Sequence, residues 1–90
     1  MTKEDIKFWF RTYHPTTIVN DKYGGTYSDG EWLAFPLEHY DVPRGVDARD
    51  IDCMIFWEEY TEPYGTGDTP ESALKDLTIR LKSIIDSLDD

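Results

Sequence analysis

The sequence predicts an α+β fold in which a small antiparallel sheet packs against a long C-terminal helix, with one or two shorter helices. Three features of the 90-residue chain support this prediction. Residues 69–88 carry an apolar stripe at helical spacing, residues 16–35 are rich in β-branched and aromatic residues, and residues 2–14 match a capped amphipathic helix. We expect one domain over residues 1–90, with the helices on one side of the sheet.

The first segment, residues 2–14, fits two interpretations. Thr2 and Asp5 match a capping box, and helical spacing relates Ile6, Trp9, Phe10 and Tyr13. The same segment also alternates as a strand would, since Ile6, Phe8 and Phe10 are interleaved with Lys7, Trp9 and Arg11. The cap favours the helix, and Pro15 ends the element in either case.

Residues 16–20 predict a short strand, and the stretch YGGTYSDGEW (residues 23–32) follows it. A phosphate-binding loop would have its glycines leading into a helix, with a lysine at hand. Here glycine leads into strand-like residues, and acids flank the Asp29-Gly30 pair. We therefore predict a two-residue hairpin at Asp29-Gly30 that joins strands at residues 25–28 and 31–35. In the second strand, Trp32 and Ala34 face one side and Leu33 and Phe35 the other.

A polar connection over residues 38–48 leads to residues 50–60, which fit either a short helix or a buried strand. The helical interpretation places Asp47 or Asp50 at the cap and uses the spacing of Ile51, Met54, Ile55 and Trp57. We expect one short strand at residues 63–65.

The last helix has the strongest signals, because Thr69 suits the N-cap, Pro70 the first helical position and Glu71 the first turn. Its apolar stripe consists of Leu74, Leu77, Leu81, Ile84, Ile85 and Leu88.

Charge is distributed unevenly. The chain has a net charge of −10, and residues 29–71 hold twelve acids against two bases, Arg44 and Arg49. Such a region repels nucleic acid and anionic membranes and attracts basic protein surfaces. Two interpretations stay open, a binding surface and a purely solubilising one. The residues predicted to bind a partner are acids of this region and three aromatics: Asp41, Asp47, Asp50, Asp52, Glu58, Glu59, Glu62, Tyr60, Tyr64 and Trp32. The aromatics either anchor an interface or enlarge a small core.

No catalytic residue, metal site or cofactor is predicted. Cys53 lies in an apolar stretch between acids, which should raise the pKa of its thiol and make it a poor nucleophile. The run Asp47, Asp50, Asp52 lacks the glycine and distal glutamate of an EF-hand loop, and adjacent Glu58 and Glu59 diverge on a helix. A single cysteine, no membrane-spanning run and no signal peptide lead us to expect a cytoplasmic protein.

Two resemblances bear on function. The segments GEWLAFP (residues 30–36) and GTGDTPESALKDL (residues 65–77) resemble a strand and the G-x-T-x-x-x-A-L strand-to-helix junction of HicB-type antitoxin domains. That resemblance implies a β-β-β-α unit that masks a small RNA-cleaving toxin and forms homodimers. It covers about twenty residues, and this chain has a longer insertion between the two segments than the family carries.

The acidic, aromatic-rich, cysteine-poor composition is similar to that of small antirestriction and anti-CRISPR proteins of phages and mobile elements. Some of those proteins imitate the charge of DNA. The leading hypothesis is therefore a non-enzymatic, phage-encoded inhibitor, monomeric or homodimeric, that acts in the host cytoplasm. It would block the basic surface of a nuclease or another nucleic-acid-binding protein without contacting nucleic acid or membrane. A HicB-like module and a virion assembly protein are the alternatives.

Overall fold

The computed structural model describes residues 1–88. In this part of the chain three β-strands form one antiparallel sheet, and three α-helices flank it. The elements are α1 (Lys3–Thr12), β1 (Thr17–Asn20), β2 (Trp32–Phe35), α2 (Asp50–Glu59), β3 (Gly65–Gly67) and α3 (Pro70–Leu88). Two short 3-10 turns, His39–Asp41 and Arg44–Asp47, lie between β2 and α2. The predicted α+β class, with its long last helix, is confirmed.

Helix α1 begins with the predicted capping box. The Thr2 hydroxyl accepts the Asp5 backbone N–H at 3.1 Å, and the Asp5 carboxylate accepts the Thr2 N–H at 3.0 Å. The bond that the Thr2 backbone N–H donates to the carboxylate is the main cause of a lowered pKa of Asp5, and the Thr2 side chain acts in the same direction. Ile6 and Trp9 are buried, whereas Phe8 is 48% exposed, so the burial follows the helical spacing and not the strand alternation.

The predicted two-residue hairpin at Asp29-Gly30 is wrong, because residues 25–28 do not form a strand. The hairpin instead joins β1 to β2 through a loop over residues 21–31, with Asn20 opposite Trp32. Buried Asp21 organises this loop. Its carboxylate accepts the N–H of Tyr23 at 2.9 Å, the N–H of Gly25 at 3.1 Å and the hydroxyl of Ser28. These bonds hold the segment in turns and remove it from the sheet.

Helices cover both faces of the sheet, which corrects the expectation of helices on one side. The predicted alternation of β2 is confirmed. Ala34 packs in a core cluster with residues of α1 and α3, whereas Leu33 and Phe35 pack with Cys53 and Trp57 of α2. The central strand β2 has the sequence Trp-Leu-Ala-Phe and is apolar on both faces. Each face must therefore be buried against a helix.

Helix α2 forms where the alternative was a buried strand. Its N-cap is Arg49, which makes no side-chain capping bond, so the predicted cap at Asp47 or Asp50 is wrong. The N-terminal half of α2 is connected to the loop by the Tyr27 hydroxyl, which donates to the Asp50 carboxylate. Asp50 therefore stabilises a contact between two segments, in addition to its favourable charge in the first turn of the helix.

Helix α3 begins as predicted, with the Thr69 hydroxyl accepting the Ser72 N–H at 3.1 Å. Leu77 and Leu81 are buried, and Leu74, Ile84 and Ile85 pack against the same cluster. The side chain of Leu88 lies outside the described residues. The short strand predicted at residues 63–65 is displaced to Gly65–Gly67, where glycines allow the strand to lie directly against α3.

Candidate functional site

Helix α2 presents the densest group of the predicted acids. Asp52, Glu58 and Glu59 are exposed on it, and the helix contains no basic residue. None of these three carboxylates forms an ion pair within residues 1–88. Part of the acidic charge predicted for the middle of the chain therefore lies on the exposed surface of one helix.

An apolar ridge runs through this acidic surface. Ile51 is 68% exposed, Ile55 43% and Met54 38%. Positions three and four apart lie side by side on a helix, so these three side chains form one continuous strip. We call Ile51, Met54, Ile55, Asp52, Glu58 and Glu59 together the α2 face. Large apolar side chains grouped at a surface are typical of interaction sites.

The acids of the α2 face were predicted from the sequence, but its apolar ridge was missed, and the reason is physical. Apolar residues surround the whole helix, and its inward side is taken by Cys53 and Trp57. A helix that is apolar all round gives no periodic signal for which side faces the core. The large number of apolar residues in α2 was the available signal. A ten-residue helix cannot bury apolar side chains on all its sides against a single sheet face, so some of them must be exposed.

The position of Glu58 and Glu59 within α2 is electrostatically unfavourable. Both lie in the last turn, and that turn contains no basic residue. The backbone carbonyls at a helix C-terminus already carry partial negative charge, so the interaction of two carboxylates with that end of the helix is repulsive. A cation from a partner would relieve this repulsion. The α2 face is thus complementary to a surface that combines apolar and basic groups.

The remaining predicted acids lie near α2 but not on it. Asp47 is exposed in the turn before α2, where its carbonyl accepts the Lys22 ammonium at 3.4 Å. Asp41 and Glu62 line a groove of about 320 Å³ together with Tyr60. The Glu62 carboxylate pairs with the Met1 ammonium at 3.0 Å, so that charge is already compensated.

The predicted aromatic anchors have mainly packing roles. Tyr60 and Tyr64 are half-buried and pack against the rings of Phe35 and Trp57; the Trp57 and Tyr64 ring centroids are 4.7 Å apart. Trp32 packs against the cluster of α1 and α3. It lies on the opposite face of the sheet from α2, so it does not share a surface with the α2 acids. The structure brings Asp50, Asp52, Glu58 and Glu59 together and leaves Trp32 apart.

Nucleophilic and metal-ligating groups do not converge in the described part of the chain. Burial raises the pKa of the Cys53 thiol, with nearby Asp21 and Asp50 acting in the same direction, as the sequence predicts. His14 pairs with Glu38 through Nε2 and Oε1 at 2.9 Å, and His39 is exposed. No three His, Cys, Asp or Glu side chains among residues 1–88 are grouped so as to hold a metal ion.

Two tyrosines beside α2 are expected to titrate late. The hydrogen bond to Asp50 raises the pKa of Tyr27 to about 12, and burial raises that of Tyr60 to about 12. A raised folded-state pKa stabilises the fold fully below pH 10, and this stabilisation is lost as the pH rises through about 12.

Tyrosinate absorbance should therefore show a late phase that coincides with loss of circular dichroism. Tyr27→Phe should reduce the amplitude of this late phase by the absorbance of one tyrosinate. An unchanged amplitude would contradict the assignment of Tyr27 to the late phase.

Comparisons with protein families, with curated proteins and with solved structures found no match to this chain. None of the helices in residues 1–88 combines the length and apolar character needed to cross a membrane. The case for a function therefore depends on the α2 face and on the charge of the chain.

Proposed function

We propose that this protein is a non-enzymatic, acidic protein-binding domain whose α2 face occupies a basic surface of a nucleic-acid-binding protein. The observation that carries the proposal is the exposed ridge of Ile51, Met54 and Ile55 among carboxylates that have no basic neighbour on the helix. A phage-encoded inhibitor of a host nuclease in the cytoplasm is the setting that fits this chemistry.

The acids favour a protein partner over nucleic acid. Residues 29–71 carry twelve acids against two bases, and such a surface repels a phosphate backbone. The same charge attracts the grooves in which nucleases and other nucleic-acid-binding proteins hold phosphates. A domain that fills such a groove excludes the nucleic acid by competition.

The ridge and the acids contribute in different ways. Exposed charges at the rim of an interface mainly accelerate association and select the partner, and their effect weakens as salt is added. Apolar side chains at the centre lose their water on binding and supply most of the affinity. Binding should therefore weaken with salt, yet retain a salt-resistant part that depends on Ile51 and Ile55.

The test is capture of a partner from a host lysate on the tagged protein, followed by elution with a DNA oligonucleotide. The proposal predicts that DNA releases a nucleic-acid-binding protein. The triple variant Asp52→Lys, Glu58→Lys and Glu59→Lys should capture at least about tenfold less of it, because three attractions become repulsions. Asp50 is left unchanged because it bonds Tyr27.

A matched control separates a local effect from a change of total charge. Glu31→Lys, Asp68→Lys and Glu71→Lys change the net charge by the same amount at exposed positions outside α2. This control should capture the partner as well as the unaltered protein does. Equal capture by both triple variants would contradict the proposal, as would a partner that DNA does not displace. Circular dichroism of each variant verifies that the fold is retained.

A further inference from the structure

The sheet has two outer edges, and one of them is closed by a side chain. The strand order is β1-β2-β3, so β1 and β3 are the edges. On β3 the outward N–H is that of Thr66, and the Asp76 carboxylate of α3 accepts it at 2.9 Å. Asp76 is itself held by Arg80, whose Nε lies 2.8 Å from the same carboxylate. The β3 edge is therefore not open to another strand.

The β1 edge is open. Asp21 donates its N–H to the Glu31 carbonyl at 2.7 Å, one step beyond the Asn20–Trp32 pair. Because antiparallel bonding alternates along a strand, the N–H groups of Thr17 and Val19 also point to β2, and those of Ile18 and Asn20 point outward. Within residues 1–88, no side chain or backbone group bonds these two outward N–H groups.

We propose that a second copy of this chain pairs with the β1 edge in an antiparallel, two-fold symmetric arrangement. Ile18 of each copy would face Asn20 of the other, and each such pair exchanges two backbone hydrogen bonds, which gives four in total. Val19 would then stand opposite its own counterpart, a β-branched pair that suits a closely spaced position. The two sheets become one six-stranded sheet with no free β1 edge.

Charge selects a second copy as the occupant of this edge. Strand β1 contains no charged residue, and residues 1–28 carry four bases against three acids. The surface formed by residues 29–71 carries the excess of acids, so two copies that approach each other there repel. A basic segment of another protein would be drawn to the α2 face and not to this neutral edge. Dimerisation should accordingly strengthen with salt, whereas binding at the α2 face weakens.

The experiment is sedimentation equilibrium of the full chain over a range of concentration and salt, with two variants of one residue. Asn20→Pro removes the outward N–H without touching the ladder to β2, and thus two of the four bonds of the dimer. Asn20→Ala also loses the side-chain bond to the Glu31 carbonyl but retains the N–H. The unaltered chain and Asn20→Ala should dimerise, and Asn20→Pro should raise the dissociation constant at least about tenfold.

Two results would overturn the proposal. A chain that sediments as a monomer at all concentrations and salt levels would exclude a second copy and leave the edge to an extended segment of another protein. A dimer that Asn20→Pro does not weaken would place the contact on another surface. Neither result bears on capture through the α2 face, which the two sets of lysine variants test separately.

Discussion

Gly65→Ala is expected to destabilise the fold by about 3 kcal/mol or more, because the added methyl group would clash with the backbone of α3. A Cβ at Gly65 would lie 2.3 Å from the Ala73 carbonyl oxygen, 2.3 Å from the Leu77 nitrogen and 2.7 Å from the Leu77 Cα. All three are backbone atoms of α3, and a helix backbone cannot yield by changing a rotamer. Strand β3 would have to move away from α3.

That movement would open the core at its centre, because Leu77 and Leu81 are fully buried beneath the sheet. A domain of this size has a total stability of about 5–10 kcal/mol, so the substitution removes a large share of it. The melting temperature should fall by roughly 15 °C. Urea denaturation followed by circular dichroism measures the change in free energy of unfolding directly.

Gly24→Ala is the matched control for Gly65→Ala. A Cβ at Gly24 meets nothing within 4 Å, and the only cost is its positive φ of 61°. Such backbone strain costs about 1 kcal/mol, which isolates the effect of conformation from that of steric contact. If Gly65→Ala is no more destabilising than Gly24→Ala, the close packing of β3 on α3 is wrong.

Asp21→Ala is expected to cost about 3 kcal/mol through the loop over residues 21–31. Asp21 is 3% exposed, and its carboxylate is the acceptor for the N–H groups of Tyr23 and Gly25 and for the Ser28 hydroxyl. Alanine leaves all three donors without that acceptor, and of the three the Ser28 hydroxyl is fully buried. The loop should lose its order, and the β1–β2 hairpin that it connects should be weakened.

Ser28→Ala serves as the control for Asp21→Ala. It removes one of the three hydrogen bonds and keeps the carboxylate with both backbone donors, so a loss of about 1 kcal/mol is expected. Asp21→Asn should fall between the two, since one carbonyl oxygen still accepts from a backbone N–H. An order in which Ser28→Ala is more destabilising than Asp21→Ala would contradict the central role of the carboxylate. Urea denaturation of the three variants gives the ranking.

The candidate site was predictable in its charge but not in its composition. The excess of acids in residues 29–71 can be counted in the sequence, and it locates Asp52, Glu58 and Glu59 in the right region. The exposed ridge of Ile51, Met54 and Ile55 could not be predicted, because these residues match a buried helix face as well as Cys53 and Trp57 do. Trp32 shows the opposite error, since its residue type suits an interface but its strand position turns it toward α1 and α3.

Elements whose determinants lie within a few residues of each other could be predicted from the sequence. The Thr2–Asp5 capping box, the Thr69 cap, the apolar stripe of α3 and the alternation of β2 all depend on local hydrogen bonds or on a simple period. The distribution of charge is likewise a property of the chain itself. These features fix the α+β class and the acidic character of the protein.

Features that depend on how the elements pack against each other were decided only by the tertiary structure. The Asp29-Gly30 pair has the residue types of a tight hairpin turn, but the buried Asp21 carboxylate accepts hydrogen bonds from Gly25 and Ser28 and holds the segment in a wider loop. Which side of α2 faces inward depends on the sheet face formed by Leu33 and Phe35. Whether a sheet edge is open depends on Asp76, ten residues from the Thr66 N–H that it accepts. In each case the outcome depends on which groups are buried together in the packed fold, because burial of apolar area and of polar groups with their partners dominates the free energy of folding.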